Sequence, residues 1–226
     1  MYYPGNKNIP GLIQKIANQV PPCKNFYELF AGSAAVSNFL SVRSLELVQF
    51  FINDLDPGVT DIFDYPAGSI VTNVPAIEIL KTLISVPAGK ETFVFLDPPY
   101  LKSTRPSSLD LYKFDMTTSE HRQLLSTVRD LKCNCMIIHP ECFLYYQELK
   151  TFRRVDITVR YHNKTSSESL FMNYPRPEQL FSYDLVGSDC WDRQRIKRKG
   201  DRIVKKLSNL PVLERNYILN RIKLLL

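Results

Sequence analysis

Short apolar runs alternate with stretches of helical periodicity along most of the chain, and this alternation leaves few architectures open. Leu12, Ile13, Ile16 and Val20 form a helical stripe within Ile9–Val20, which Pro21-Pro22 stops. Asn25–Phe30 and Leu45–Ile52 read as strands, with a helix over Val36–Val42 between them. Pro75–Val86 reads as a helix and Thr92–Leu96 as a strand. Thr117 and Glu120 have capping-box spacing and open a helix that runs to about Leu131. A strand at Cys135–His139, a helix at Phe143–Leu149, and strands at Arg154–Tyr161 and Ser169–Asn173 follow, the last two joined by a turn over Asn163–Ser167. Alternating strand and helix closed by an antiparallel hairpin predicts an α/β sheet covered on both faces.

Within 226 residues this predicts one domain over 1–187 and a helical extension over 188–226. The charge divides at nearly the same place. Residues 191–226 hold 11 Lys+Arg against 3 Asp+Glu, while the rest of the chain holds 18 against 20. Arg195, Lys199, Arg202 and Lys206 fall on one side of a predicted helix there, and Ile203, Leu207 and Leu210 on another. The reading is an amphipathic helix with its apolar face docked and a basic face aimed at a polyanion, most simply nucleic acid phosphate.

Five cysteines, at 23, 133, 135, 142 and 190, cannot all pair within one chain. With no signal-peptide layout at the start and no apolar run of membrane length, the expectation is reduced thiols in a cytoplasmic protein that neither crosses nor sits on a membrane. Histidines 121, 139 and 162 form no ligand pattern with them, so no metal site is expected.

Three places carry chemistry. Glu28-Leu-Phe-Ala-Gly-Ser-Ala-Ala35 is a strand-to-helix turn of small residues, where backbone can approach a ligand. Asp54 ends the next strand about 20 residues on, where a nucleotide-binding α/β fold places a carboxylate for ribose hydroxyls. Asp97-Pro98-Pro99-Tyr100 ends the Thr92–Leu96 strand. Its prolines can neither continue a helix nor donate to a ladder. The Asp97 carboxylate and the Pro98 carbonyl are thereby held as two acceptors beside an aromatic ring, a set suited to a planar substrate with an exocyclic amine.

With these residues in this order the chain resembles the Dam-like adenine-N6 DNA methyltransferases, which use S-adenosylmethionine (SAM). The resemblance runs through Tyr3-Pro-Gly-Asn-Lys7, Phe30-Ala-Gly-Ser33, Asp54, Asp97-Pro98-Pro99-Tyr100 and Leu170-Phe-Met-Asn-Tyr-Pro175, over about residues 2–175. It implies a Rossmann-like class I methyltransferase sheet with a C-terminal hairpin. It also implies a SAM site lined by Tyr3, Lys7, Asp54 and Asp97, with Glu28, Phe30 and Gly32 near the methionine part. The implied reaction flips adenine out of DNA, holds its amino group on Asp97 and Pro98, stacks its ring on Tyr100 and transfers the methyl directly. RNA adenine methylation and nucleic-acid binding without turnover are the alternatives. Host modification, restriction partnership and phage self-protection all fit the resemblance, and so does a partner subunit.

Two departures from the family pattern stand out. The usual second glycine of the Phe-x-Gly turn is Ala34, whose methyl is expected to tighten the SAM pocket. Only residues 57–92 separate the acidic strand end from Asp97, too few for a separate target-recognition domain. The loop at 101–116 and the basic extension remain to grip the substrate.

Overall fold

The computed structural model describes residues 7–9, 11–44, 46–86, 88–105, 112–161 and 164–225. It contains two compact units, Met1–Asp184 and Leu185–Leu226. The larger unit is built on seven strands: β1 (Asn25–Leu29), β2 (Gln49–Asn53), β3 (Ile70–Thr72), β4 (Thr92–Leu96), β5 (Asn134–Pro140), β6 (Arg153–Tyr161) and β7 (Lys164–Met172). Their spatial order is β3-β2-β1-β4-β5-β7-β6. The first five run parallel, and β7 is antiparallel to both neighbours. This is the Rossmann-like class I sheet, with the closing hairpin inserting β7 between β5 and β6.

Side-chain alternation assigns the two faces. On β4, Phe93 and Phe95 enter one core, with Phe26, Ile52, Met136 and Leu170. Val94 and Leu96 enter the other, with Leu29, Ile137 and Phe171. A strand buried at all five positions needs helices on both faces. The first layer is α1 (Leu12–Ala17) and α2 (Ala35–Ser41). The second is α4 (Ala76–Ser85), α5 (Thr118–Arg129) and α6 (Phe143–Glu148), while the short α3 (Pro57–Thr60) follows β2. Phe26 and Phe93 stack at 5.4 Å across the β1–β4 pair, with Tyr174 edge-on to Phe93 at 5.8 Å.

The capping box forms as expected: Thr117 accepts from the Glu120 amide, and Glu120 accepts from the Thr117 amide at 2.7 Å. Asn173 closes the sheet interior, accepting from Cys135 N at 2.8 Å and donating to Cys133 O at 2.9 Å.

Four readings change. The second strand starts at Gln49, not Leu45, and Leu47 is 99% exposed. The turn expected over Asn163–Ser167 is tighter, because Lys164–Ser167 pair with Thr158–Tyr161 as part of the ladder. α3 and β3 lie unforeseen within residues 57–92; both are too short for periodicity to reveal. The extension forms α7 (Cys190–Ser208) and α8 (Val212–Lys223), but neither buries any residue, and Ile203 is 50% exposed. The expected apolar face is only partly covered, Leu207 and Leu210 more than Ile203. Among the described residues no helix is long and apolar enough to cross a membrane.

Candidate active site

In open α/β sheets ligands bind beyond the carboxyl ends of the strands, where strand order reverses. Here the reversal falls between β1 and β4, and the motif residues converge there. A cavity of about 310 Å³ is lined by Lys7, Glu28, Phe30, Asp54, Asp97 and Pro99, together with Asp56 and the segment Tyr112–Met116. Gly32, Pro98 and Tyr100 adjoin these residues in sequence without lining the cavity. Tyr3 lies outside the described residues.

The turn after β1 takes an unusual path. Phe30, Gly32 and Ala34 have φ of 60°, 52° and 45°, so alternate residues are left-handed. The path is held from β2: Ala31 N donates to Asn53 O at 2.9 Å and Gly32 N to the Asp54 carboxylate at 2.9 Å. Ala34 is fully buried in the hydrophobic core and does not line the cavity. Its methyl therefore fills the core instead of tightening the pocket.

Glu28 is buried and turned to the start of α2, accepting from Ser37 N at 2.6 Å and Val36 N at 3.3 Å. Burial nevertheless pushes its carboxyl up to about 7. Asp54 is also raised by burial, against the lowering effect of the amides of Asp56 and Gly32.

Asp97 Oδ2 meets Lys7 Nζ at 2.6 Å, and the Lys7 side chain is only 4% exposed. Burial raises the Asp97 carboxyl and the lysine charge opposes the rise. The same ammonium lies 5.0 Å from the centre of the Tyr100 ring.

Three supports escaped the sequence reading. Tyr100 Oη donates to Glu168 at 2.9 Å, a β7 carboxylate that is 1% exposed. His139 Nε2 accepts from Leu101 N at 3.1 Å, while its Nδ1 sits 2.8 Å from Pro140 O and must carry the proton. Arg105 donates through Nε to Tyr100 O at 2.6 Å and through its two terminal nitrogens to Asp115. The backbone just past Asp97-Pro98-Pro99 is thus fixed from β5 and from its own loop. The 101–116 loop was expected at the surface as a substrate grip. Its Tyr112–Met116 portion forms cavity wall with Lys113 and Phe114 exposed, and Lys113 reaches Asp56 at 3.0 Å. Residues 106–111 of that loop lie outside the described residues.

Behind Tyr100 lies a buried aromatic stack. The His139 ring lies on Tyr145 at 3.9 Å, and His121 Nδ1 meets Tyr145 Oη at 2.9 Å. Burial holds His121 down to about 4 and His139 to about 3. Both folded values lie below the ordinary 6.5. The stability that the neutral rings confer is therefore complete above pH 6.5 and is lost as pH falls toward 4 and 3. Each contributes roughly 1.4 kcal/mol per pH unit within its window. Glu28 opposes this, because a carboxyl raised to about 7 favours the folded state as pH falls from 7 to its ordinary 4.5. Asp54 and Asp97, whose carboxyls burial also raises, oppose it in the same sense at lower pH. Two of the three histidine ring resonances are expected to show no titration above about pH 5 by NMR. Ordinary titration of all three would overturn this account of the stack.

The candidate nucleic-acid residues Arg195, Lys199, Arg202 and Lys206 all lie on α7 and are exposed. Arg195 is paired with Asp192 at 2.8 Å. Cys23, Cys133 and Cys135 are buried, and burial raises all three thiols.

No family model matches the sequence, and no curated protein matches it. Among solved structures, the chain is similar to M. capricolum TrmK in complex with S-adenosyl-homocysteine, at 10% identity and TM-score 0.47 over 95% of each chain. It is similar to human methyltransferase-like protein 13 in complex with S-adenosyl-homocysteine, at 11% identity and TM-score 0.45 over 82% of this chain and 84% of that one. It is also similar to S. pombe Dnmt2 methyltransferase, at 11% identity and TM-score 0.45 over 67% of this chain and 51% of that one.

Proposed function

We propose that the protein is a SAM-dependent adenine-N6 DNA methyltransferase of the Dam-like kind. The observation that carries this reading is the convergence of Asp97, held by Lys7, with Glu28 and Asp54 on one cavity at the strand-order reversal. The donor set of that cavity fits the cofactor. Glu28, Asp54, Asp56, Asp97, Asp115 and Glu120 line it against Lys7 and Lys113, an excess of carboxylates suited to a sulfonium, an ammonium and ribose hydroxyls. Asp54 at the end of β2 would hold the ribose, and Glu28 and Phe30 would flank the methionine part. Bound there, SAM supplies a methyl group already activated by its positive sulfur.

The chain's own residues then do three things. Asp97 and the Pro98 carbonyl accept hydrogen bonds from the adenine amino group, which turns the nitrogen lone pair out of ring conjugation and toward the methyl. Lys7 and the two prolines keep Asp97 in place, so little reorganisation is left for the reaction itself. Tyr100, tethered by Glu168, offers its ring face to the flipped base. The amino nitrogen would take the methyl as the methyl–sulfur bond breaks, and would then release one proton to solvent.

Residues 57–92 hold α3, β3 and α4, of which β3 belongs to the sheet and α4 to its cover. With no recognition domain there, the strand state of the substrate becomes the arm to test. The experiment offers labelled SAM with duplex DNA, single-stranded DNA and RNA, digests the products to nucleosides and identifies them by mass. N6-methyldeoxyadenosine, absent with the Asp97→Ala variant, is the expected result. Methyl on RNA adenine alone would move the activity to RNA. No transfer to any polymer by protein that binds SAM would overturn catalysis.

A further inference from the structure

The second unit carries a feature that the basic stripe alone does not describe. Asp189 caps α7 by accepting from Asp192 N at 2.9 Å. From that cap, Trp191, Arg195, Arg198 and Arg202 recur at intervals of four, three and four, which places them on one face. With Gln194 and Asp201 they line a single groove. Trp191 is the only tryptophan in the chain and is 75% exposed. Of the two acids near the groove, Asp201 is engaged by Lys197 at 2.9 Å, and Asp192 pairs with Arg195 at 2.8 Å in an exposed contact that a phosphate would replace.

The chemistry of the face restricts what can cover it. Three guanidiniums call for repeated negative charge, and an open indole calls for a flat ring system to stack on. An acidic protein surface supplies the charge without the rings. Duplex DNA supplies phosphates but keeps its base faces stacked inside. A single strand offers both, one base face on the indole and successive phosphates along the arginines.

We propose that α7 is a stacking platform for single-stranded nucleic acid, with Trp191 as the base contact and Arg195, Arg198 and Arg202 as the phosphate contacts. This rests on the reading of the protein as one that acts on nucleic acid and sharpens it by strand state. Two of the arginines belong to the stripe expected from sequence. Trp191 and Arg198 are additions that the groove supplies.

Because Trp191 is the sole tryptophan, its emission reports the contact directly. The full-length protein without SAM is titrated with oligothymidylate, with the same oligonucleotide annealed to its complement, and with heparin as a polyanion without bases. Binding is followed in parallel by anisotropy of labelled polymer. Saturable quenching by the single strand is expected, with little by duplex or heparin. Trp191→Ala should weaken single-strand binding about 5- to 100-fold, the range for loss of one stacked base. Heparin affinity and the salt dependence should be unchanged, and Trp191→Phe should recover most of the loss. Equal quenching by heparin, or unaltered single-strand affinity in Trp191→Ala, would overturn the proposal. Methyl transfer that proceeds without such binding would leave the proposed reaction standing and remove only the platform.

Discussion

Asp97→Asn is expected to lower methyl transfer by at least about 10²–10³-fold while the protein remains folded and still binds cofactor. That is the scale for removing one preorganised electrostatic contact to a reacting centre. The substitution keeps shape and volume but removes the negative charge, and it can turn an N–H toward the substrate amine where an acceptor is needed. Lys7, 2.6 Å from Oδ2, loses the charge that balances it. The loss should therefore appear in kcat more than in cofactor affinity, read by single-turnover transfer beside a SAM-binding titration. Near-wild-type turnover in Asp97→Asn would remove this carboxylate from the reaction.

Lys7→Met should cost about 3 kcal/mol of stability, the lower end for breaking a buried ion pair by deleting one partner. Asp97, whose carboxyl burial already raises, would then be held in that setting without the lysine. A chemical-denaturation midpoint measures the loss. The double variant Lys7→Met/Asp97→Asn should recover much of it, because no uncompensated charge remains, yet stay inactive. Additive losses in that cycle would mean that Lys7 acts through other contacts. The two predictions separate a residue needed for the reaction from the partner that makes its buried charge tolerable.

Legibility in the sequence followed the range of each interaction. β4 is an unbroken apolar run stopped by two prolines, so both its position and the site at its end could be read locally. The same holds for the α5 cap, where Thr117 and Glu120 are three residues apart. Glu168 could not be found that way. It lies 68 residues from Tyr100, between the expected turn and the expected last strand, and only the β5–β7 register brings it to the tyrosine hydroxyl. The one available signal was a lone acid between serines at the start of an apolar strand. His139 looked like an ordinary strand residue for the same reason. Ala34 shows a different limit: the sequence marked a departure from the glycine pattern, but only the direction of its methyl decides whether pocket or core receives it. Leu47 marks a third limit, where apolar character by itself extended a strand into exposed chain.

The strand order also governs how the molecule is assembled. β1 emerges from synthesis early but lies between β2 and β4, so one of its edges stays unpaired until residues 92–96 have been made. At the far side, β6 precedes β7 in the chain yet reaches the sheet only through it. The hairpin must therefore dock as a unit, with β7 leading into the open edge of β5. Such pairings between distant segments slow folding and leave apolar edges open to misassociation meanwhile. Glu168 arrives with that final strand. A nascent chain can therefore display the Asp97-Pro98-Pro99-Tyr100 turn well before the carboxylate that anchors its tyrosine is in place, and competence comes only with the last insertion.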